Sequence, residues 1–190
     1  MVVVSPERVS SLESADDRTL AGRAADGDVR AFTVLVRRHS PLLKAHARRL
    51  LGRSDEVDDV VQEAFIAAWA QLSSLKDPGL VKSWLMRTVS YMSIDRIRAR
   101  RDHDDIGDHE PQLAPQLSPE SVIVAKSRED ALAGVLSQLP PQQRQCWLLK
   151  ESSGLSYEEI AAALAVPMST VRGLLARARK TIITEMEPWR

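Results

Sequence analysis

The chain has 190 residues, of which 44% are hydrophobic and very few aromatic, so it can form one ordinary globular domain or two small ones. Lys+Arg 26 against Asp+Glu 26 leaves no net charge, which excludes nucleic-acid binding by global attraction and requires any basic surface to be local. The single Cys146 excludes an internal disulfide, fits a reducing cytosol and, set in the apolar run QCWLL, reads as a buried, inert thiol.

Residues 1–16, opening MVVVSPERVSSLES, lack the basic lead and apolar length of a signal peptide and are expected to form a disordered tail. From Asp16 to Arg101 the pattern is helical almost throughout. DDRTLAGRAADGDVRAFTVLVRRHSPLLKAHARRLLG spaces its apolar residues by three and four, with breaks predicted at Ala25–Asp28 and before Pro41. SDEVDDVVQEAFIAAWAQL follows, with Ser54 or Asp55 as predicted N-cap and acids in its first turn. Its buried stripe is predicted at Val61, Ala64, Phe65, Ala68 and Leu72. Asp55, Asp59 and Gln62 share another face, flanked by Asp58 and Glu63. KDPGL then turns the chain into VKSWLMRTVSYMSIDRIRARR, whose apolar side is expected to start at Trp84 and Leu85. No stretch alternates as a strand would.

Residues 102–122, DHDDIGDHEPQLAPQLSPESV, carry five acids before Pro111 and three prolines, the composition of an extended linker. Helices resume in KSREDALAGVLSQL and PPQQRQCWLLKESSG. The prediction is all-α: a helical domain over 17–101, a flexible acidic linker over 102–122, and a second helical domain over 123–187.

The last stretch, SYEEIAAALAVPMSTVRGLLARARK, is the most telling. Ser156 and Glu159 have capping-box spacing, and Ile160, Ala161 and Leu164 form an apolar face. Pro167 ends that helix in a tight turn, and Ser169 or Thr170 is predicted to begin a second, with Val171, Leu175, Ala178 and Ile182 inside. This is the helix-turn-helix layout. Between Ala161 and Lys180 there are four basic residues and no acid. A helix with outward positive charge suits a DNA major groove, where arginine reaches guanine edges or phosphates. The predicted contacts are Ser169, Thr170, Arg172, Gly173, Ala176, Arg177 and Lys180 within residues 156–180.

Three motifs, in order, resemble the bacterial sigma factors of the extracytoplasmic-function (ECF) group. DDVVQEAFIAAW is similar to that group's polymerase-binding helix and SWLMRTVSYMSIDRIRARR to its promoter-melting segment. LPPQQRQCWLLKESSGLSYEEIAAALAVPMSTVRGLLARARKTI resembles its C-terminal domain, so the likeness spans about residues 17–186. The resemblance implies a region 2-like N-terminal bundle and a region 4-like C-terminal domain. It implies that Asp55, Asp58, Asp59, Gln62 and Glu63 dock on the β′ clamp helices of core RNA polymerase. It assigns Trp84, Arg87, Ser90, Tyr91, Asp95, Arg96, Arg98, Arg100 and Arg101 to the downstream (−10) promoter element. The helix-turn-helix would read the upstream (−35) element while packing on the β flap, and the linker would run toward the active-site cleft. The family also commonly has a cognate anti-sigma factor, a further implied partner.

This chain departs from the family pattern at Ser90-Tyr91, where Arg-Asn is usual, at Ala165 and Ser169, where glycines are usual, and at Gly173-Leu174, where Ser-Arg is usual. Those changes bear on base preference at both elements. No P-loop, nucleophile–base pair or metal-ligand spacing is present, so no enzymatic activity, cofactor or metal is expected. Melting is then expected to be driven by binding energy, offsetting the few kcal/mol that unstacking a base costs. Cytoplasmic action without membrane insertion is expected. The alternatives are a helix-turn-helix regulator that binds operators without joining polymerase, and a helical adaptor using the acidic face alone.

Overall fold

A computed structural model of the chain describes residues 12–52, 55–104 and 128–189. Helix α1 (Asp17–Ala25) opens where the Asp16 carboxylate accepts from the Thr19 backbone N–H at 2.8 Å. Helix α2 (Val29–Leu51) opens in the same way, with Asp28 accepting from Arg30 and Ala31 at 3.0 and 3.2 Å. These two caps satisfy helix-end donors that water would otherwise take, and they place the break at 25–28 as the spacing predicts.

The break expected before Pro41 is absent: α2 continues through the proline to Leu51. A helix-interior proline costs about 3 kcal/mol. Leu35, Leu43 and Leu50 are all fully buried on one stripe that crosses it, and each leucine contributes about 1.5–3 kcal/mol on burial. Burial wins. Gly52, at φ 68°, closes the helix in the left-handed region that favours glycine.

Helix α3 (Val57–Gln71) starts later than expected. Glu56 is its N-cap residue, in helical backbone geometry and without a side-chain cap; Asp55 lies in the preceding turn, and Ser54 lies outside the described residues. Val57, Val60, Val61, Ala64, Phe65 and Ala68 are its buried side, extending the predicted stripe toward the N-terminus. Two 3-10 turns follow, Leu72–Ser74 and Pro78–Leu80, the second fixed by Asp77 accepting from the Gly79 N–H at 2.9 Å. Helix α4 (Val81–Asp104) runs past the domain end expected at 101. The linker expected over 102–122 falls mostly outside the described residues, as does most of the N-terminal tail. The end of that tail is ordered: Leu12 is buried in the core, and Arg38 donates to the Glu13 and Ala15 carbonyls at 3.0 and 2.9 Å.

The second half comprises α5 (Arg128–Gln138), α6 (Pro141–Trp147), α7 (Tyr157–Leu164) and α8 (Met168–Glu185). Among the described residues there is no strand. Between α6 and α7 the backbone widens into a π-helical turn, Leu148–Ser152, closed by Ser153 N–H to the Leu148 carbonyl at 3.2 Å. Ser153, the residue after this turn, meets the first domain, its Oγ 2.7 Å from Ser90 Oγ. The capping box at Ser156 and Glu159 forms as its spacing predicts. α8 begins at Met168, directly after Pro167, slightly earlier than the predicted Ser169 or Thr170.

Each half has its own core. Leu20, Ala31, Leu35, Leu43, Ala47, Val60, Ala64, Leu85 and Val89 centre the first. Leu148, Leu149, Leu155, Ile160, Val171, Leu174, Leu175 and Ala178 centre the second, around a fully buried Cys146 whose thiol burial pushes up to about 11. Two residues of the first half, Leu50 and Ile94, belong to the second core. The halves are therefore packed together and not merely tethered.

Candidate functional site

The acidic face of α3 comes first in the chain. Asp58, Asp59, Gln62 and Glu63 are all exposed. Asp58 pairs with Lys44 on α2 at 2.8 Å, and that hydrogen bond and charge hold its carboxyl below the usual range. Glu63 pairs with Arg96, whose own pKa it raises, and Arg100 Nη2 lies 2.9 Å from Glu56 Oε2. The acids nearest α4 are thus partly neutralised by its C-terminal arginines, while Asp58, Asp59 and Gln62 face outward.

Beside them, between α2 and α3, lies a groove of about 610 Å³. Phe32, Val36, Val61, Phe65, Ile66 and Trp69 form its apolar floor and walls, and Lys44, Asp58 and Gln62 its rim. Phe32 organises it, its ring 4.9 Å from that of Trp69 and edge-on to that of Phe65 at 6.2 Å. Ile66 is 62% exposed and Trp69 39%, unusual for residues so large and apolar. This surface was not legible as a site in the sequence. Its one signal was an apolar pair, Ile66 and Trp69, lying off the predicted buried stripe.

On α4 the predicted DNA residues divide between two environments. Tyr91 is 36% exposed and Asp95 is exposed beside Arg98, 3.9 Å away. Trp84 is half-buried against the first core, its carbonyl accepting from Thr88 Oγ1 at 3.0 Å. Ser90, expected on the DNA face, is instead fully buried. Its hydroxyl donates to the Met86 carbonyl at 2.8 Å and lies 2.8 Å from His46 Nε2 and 2.7 Å from Ser153 Oγ. A small polar side chain between two packed halves is satisfied there and has no route to DNA in this arrangement. Arg87 pairs with Glu159 of α7, and Arg98 donates to the last carbonyls of α7, Ala162 (3.3 Å) and Ala163. The side chain of Arg101 is outside the described residues.

The predicted contacts of α8 lie together. Ser169, Thr170, Arg172, Ala176, Arg177 and Lys180 are exposed along one side, with Gly173 half-buried among them. Arg172, Arg177 and Lys180 make no ion pair among the described residues; Arg172 approaches only Met168 Sδ, at 3.8 Å. Arg179 is different, tied to Glu151 at 2.8 Å, which raises its pKa. The opposite side buries Val171, Leu174, Leu175 and Ala178, so Leu174 joins the predicted core and Ile182 is only half-buried. A helix that presents three exposed cations outward from a packed helix–turn–helix is chemically suited to a polyanion.

Comparison with known proteins gives the same picture twice over. Residues 35–103 match the family model Sigma-70 region 2, and residues 129–182 match Sigma-70, region 4. The chain is 32% identical to the RNA polymerase sigma-H factor of Pseudomonas aeruginosa over 189 residues, covering 93% of this chain and 97% of that protein. It is 31% identical to the ECF RNA polymerase sigma-E factor of Escherichia coli over 186 residues, with coverage of 93% and 97%. Among solved structures it is similar to the sigma factor RpoE of Bartonella quintana, determined with the anti-sigma factor NepR. That match has 26% identity and a TM-score of 0.52, covering 85% of this chain and all of that one. With both halves matched in order and full-length relatives above 30% identity, the chain belongs to the ECF group of RNA polymerase sigma factors.

Proposed function

We propose that this sigma factor joins core RNA polymerase through the α2–α3 groove and its acidic rim, reads the upstream (−35) element with α8, and recognises and melts the downstream (−10) element with α4. The observation that carries the DNA half is the exposed row of Arg172, Arg177 and Lys180 on α8, which make no ion pair among the described residues. The observation that carries the polymerase half is an open apolar groove bordered by Asp58 and Gln62. A partner helix pair with apolar knobs and basic flanks, as expected of the β′ clamp, is complementary to it. Such a subunit acts where core polymerase and promoter DNA are, in the cytoplasm. Its contribution is binding energy, with no chemical step of its own. An operator-binding regulator would have no use for the groove, and an adaptor none for the cationic helix.

Charge reversal tests the polymerase half. Asp58→Lys with Asp59→Lys is expected to weaken binding to core polymerase at least tenfold by placing like charges opposite a basic partner, on a scale of about 2–5 kcal/mol for a lost interfacial charge pair. Helicity should be unchanged, because both side chains are exposed. Unaltered affinity for core would return these acids to solvent.

A further inference from the structure

We infer that Gly173 sets base choice on α8 as a positioning residue for Arg177. Lacking a side chain, it lets the Arg177 guanidinium lie over the middle of the exposed face, where it reads a guanine; a bulky residue at 173 would turn Arg177 into a phosphate contact. The inference rests on the reading of α8 given above and assigns base discrimination to one of its cations.

The backbone does not require a glycine at 173. The residue sits inside α8 in ordinary helical geometry, unlike Gly27, Gly52 and Gly154, which have positive φ. A glycine there weakens the helix relative to alanine. Nor does a neighbouring element crowd it. A methyl group placed on Gly173 would lie 3.4 Å from Arg177 Nη1, 3.9 Å from Nη2 and 4.0 Å from Cζ, its three nearest neighbours outside the helix backbone. What a side chain at 173 would meet is the guanidinium of the residue four positions on.

That placement matters for recognition. By helical spacing Ser169, Gly173, Ala176 and Lys180 run down the centre of the exposed face, with Arg172 and Arg177 on its two flanks. Long helical side chains lean back over the preceding turn. Arg177 does so onto Gly173, which shifts its head about 40° from the flank toward the centre and about 6 Å toward the N-terminal end of α8. Recognition helices meet base edges with that end. At the centre a guanidinium can pair with O6 and N7 of guanine, whereas on a flank it meets the phosphates bordering the groove. Arg172 leans toward Met168 Sδ at 3.8 Å and Arg179 is held by Glu151 at 2.8 Å, so neither competes for the same place. Ser169 and Ala176 are small, and Arg177 stays exposed beside them.

The test uses the full chain assembled with core polymerase and a randomised duplex DNA pool, from which bound sequences are selected and read. Arg177→Ala is expected to lose a guanine preference at one position of the upstream element, by about tenfold. Gly173→Ile is branched at Cβ and still a better helix former than glycine, so it fills the space beside the guanidinium without loss of helicity. It should lose the same preference at the same position, and Gly173→Ala should fall between it and wild type. In the Gly173→Ile background, Arg177→Ala should change no base preference further but lower the slope of log affinity against log salt by about one, the mark of a lost phosphate contact. The inference is overturned if Gly173→Ile keeps the wild-type preference, if the two single variants lose preference at different positions, or if Gly173→Ile weakens binding to all sequences alike. Failure of the wild-type assembly to enrich any upstream element would instead overturn the reading of α8 on which the inference stands.

Discussion

Ala165 ends α7 at φ 52° and ψ 44°, the single non-glycine residue with positive φ among those described. The left-handed region costs an L-residue about 1–2 kcal/mol, and glycine in return gives up about 0.5–1 kcal/mol of unfolded-state freedom. Ala165→Gly is therefore expected to stabilise the chain by about 0.5–1 kcal/mol, read as a higher urea midpoint; a lower midpoint would contradict it. His46 carries strain of another kind. It is buried with no counter-charge, and burial, helped by Arg49, holds its imidazole down to about 4. The unfolded chain takes up that proton near 6.5 and the folded chain only near 4, so stability falls as pH drops through that window. About 2 kcal/mol of it should be gone by pH 5 relative to pH 7.5. His46→Gln should abolish that share of the decline in urea titrations at the two pH values. An equal decline in the variant would assign the acid sensitivity to other groups.

At the scale of the element, α4 shows what a sequence pattern can and cannot deliver. Leu85 was legible as core because an apolar residue at helical spacing has few other uses. Ser90 was not: a serine in a basic segment reads as surface, and only the His46 imidazole and the Ser153 hydroxyl, distant in sequence, make it interior. The break predicted at Pro41 failed for the same kind of reason, since a local rule gave way to long-range burial of leucines on both sides of it. Next to buried Ser90, Tyr91 points outward, exposing a ring where an Asn is usual in the resembled family. Asn pairs with a base edge through donor and acceptor, whereas Tyr offers a ring face and one hydroxyl. Stacking on such a ring is worth about 1–3 kcal/mol per base and tolerates any base. Tyr91→Phe should therefore keep promoter opening and Tyr91→Ala should lose it, as followed by permanganate reactivity of the opened strand. Full opening by the alanine variant would remove the stacking role.

For the molecule as a whole, the all-α class, the two domains and the exposed cations of α8 were legible because they rest on periodicity, capping and charge within short windows. The α2–α3 groove was not, because it exists only once two consecutive helices pack side by side, and the seam between the halves was not, because its partners lie far apart in the chain, as do His46 and Ser153. The groove is the surface proposed above to join polymerase. Promoter-directed initiation is read by run-off transcription on fragmented genomic DNA, with core polymerase alone or with the purified chain, and 5′-end sequencing of the products. New transcripts are expected to start at discrete sites sharing a pair of upstream elements, present only when the chain is added and lost with Asp58→Lys and Asp59→Lys. DNA binding by the chain with no new start sites in the presence of core would contradict it.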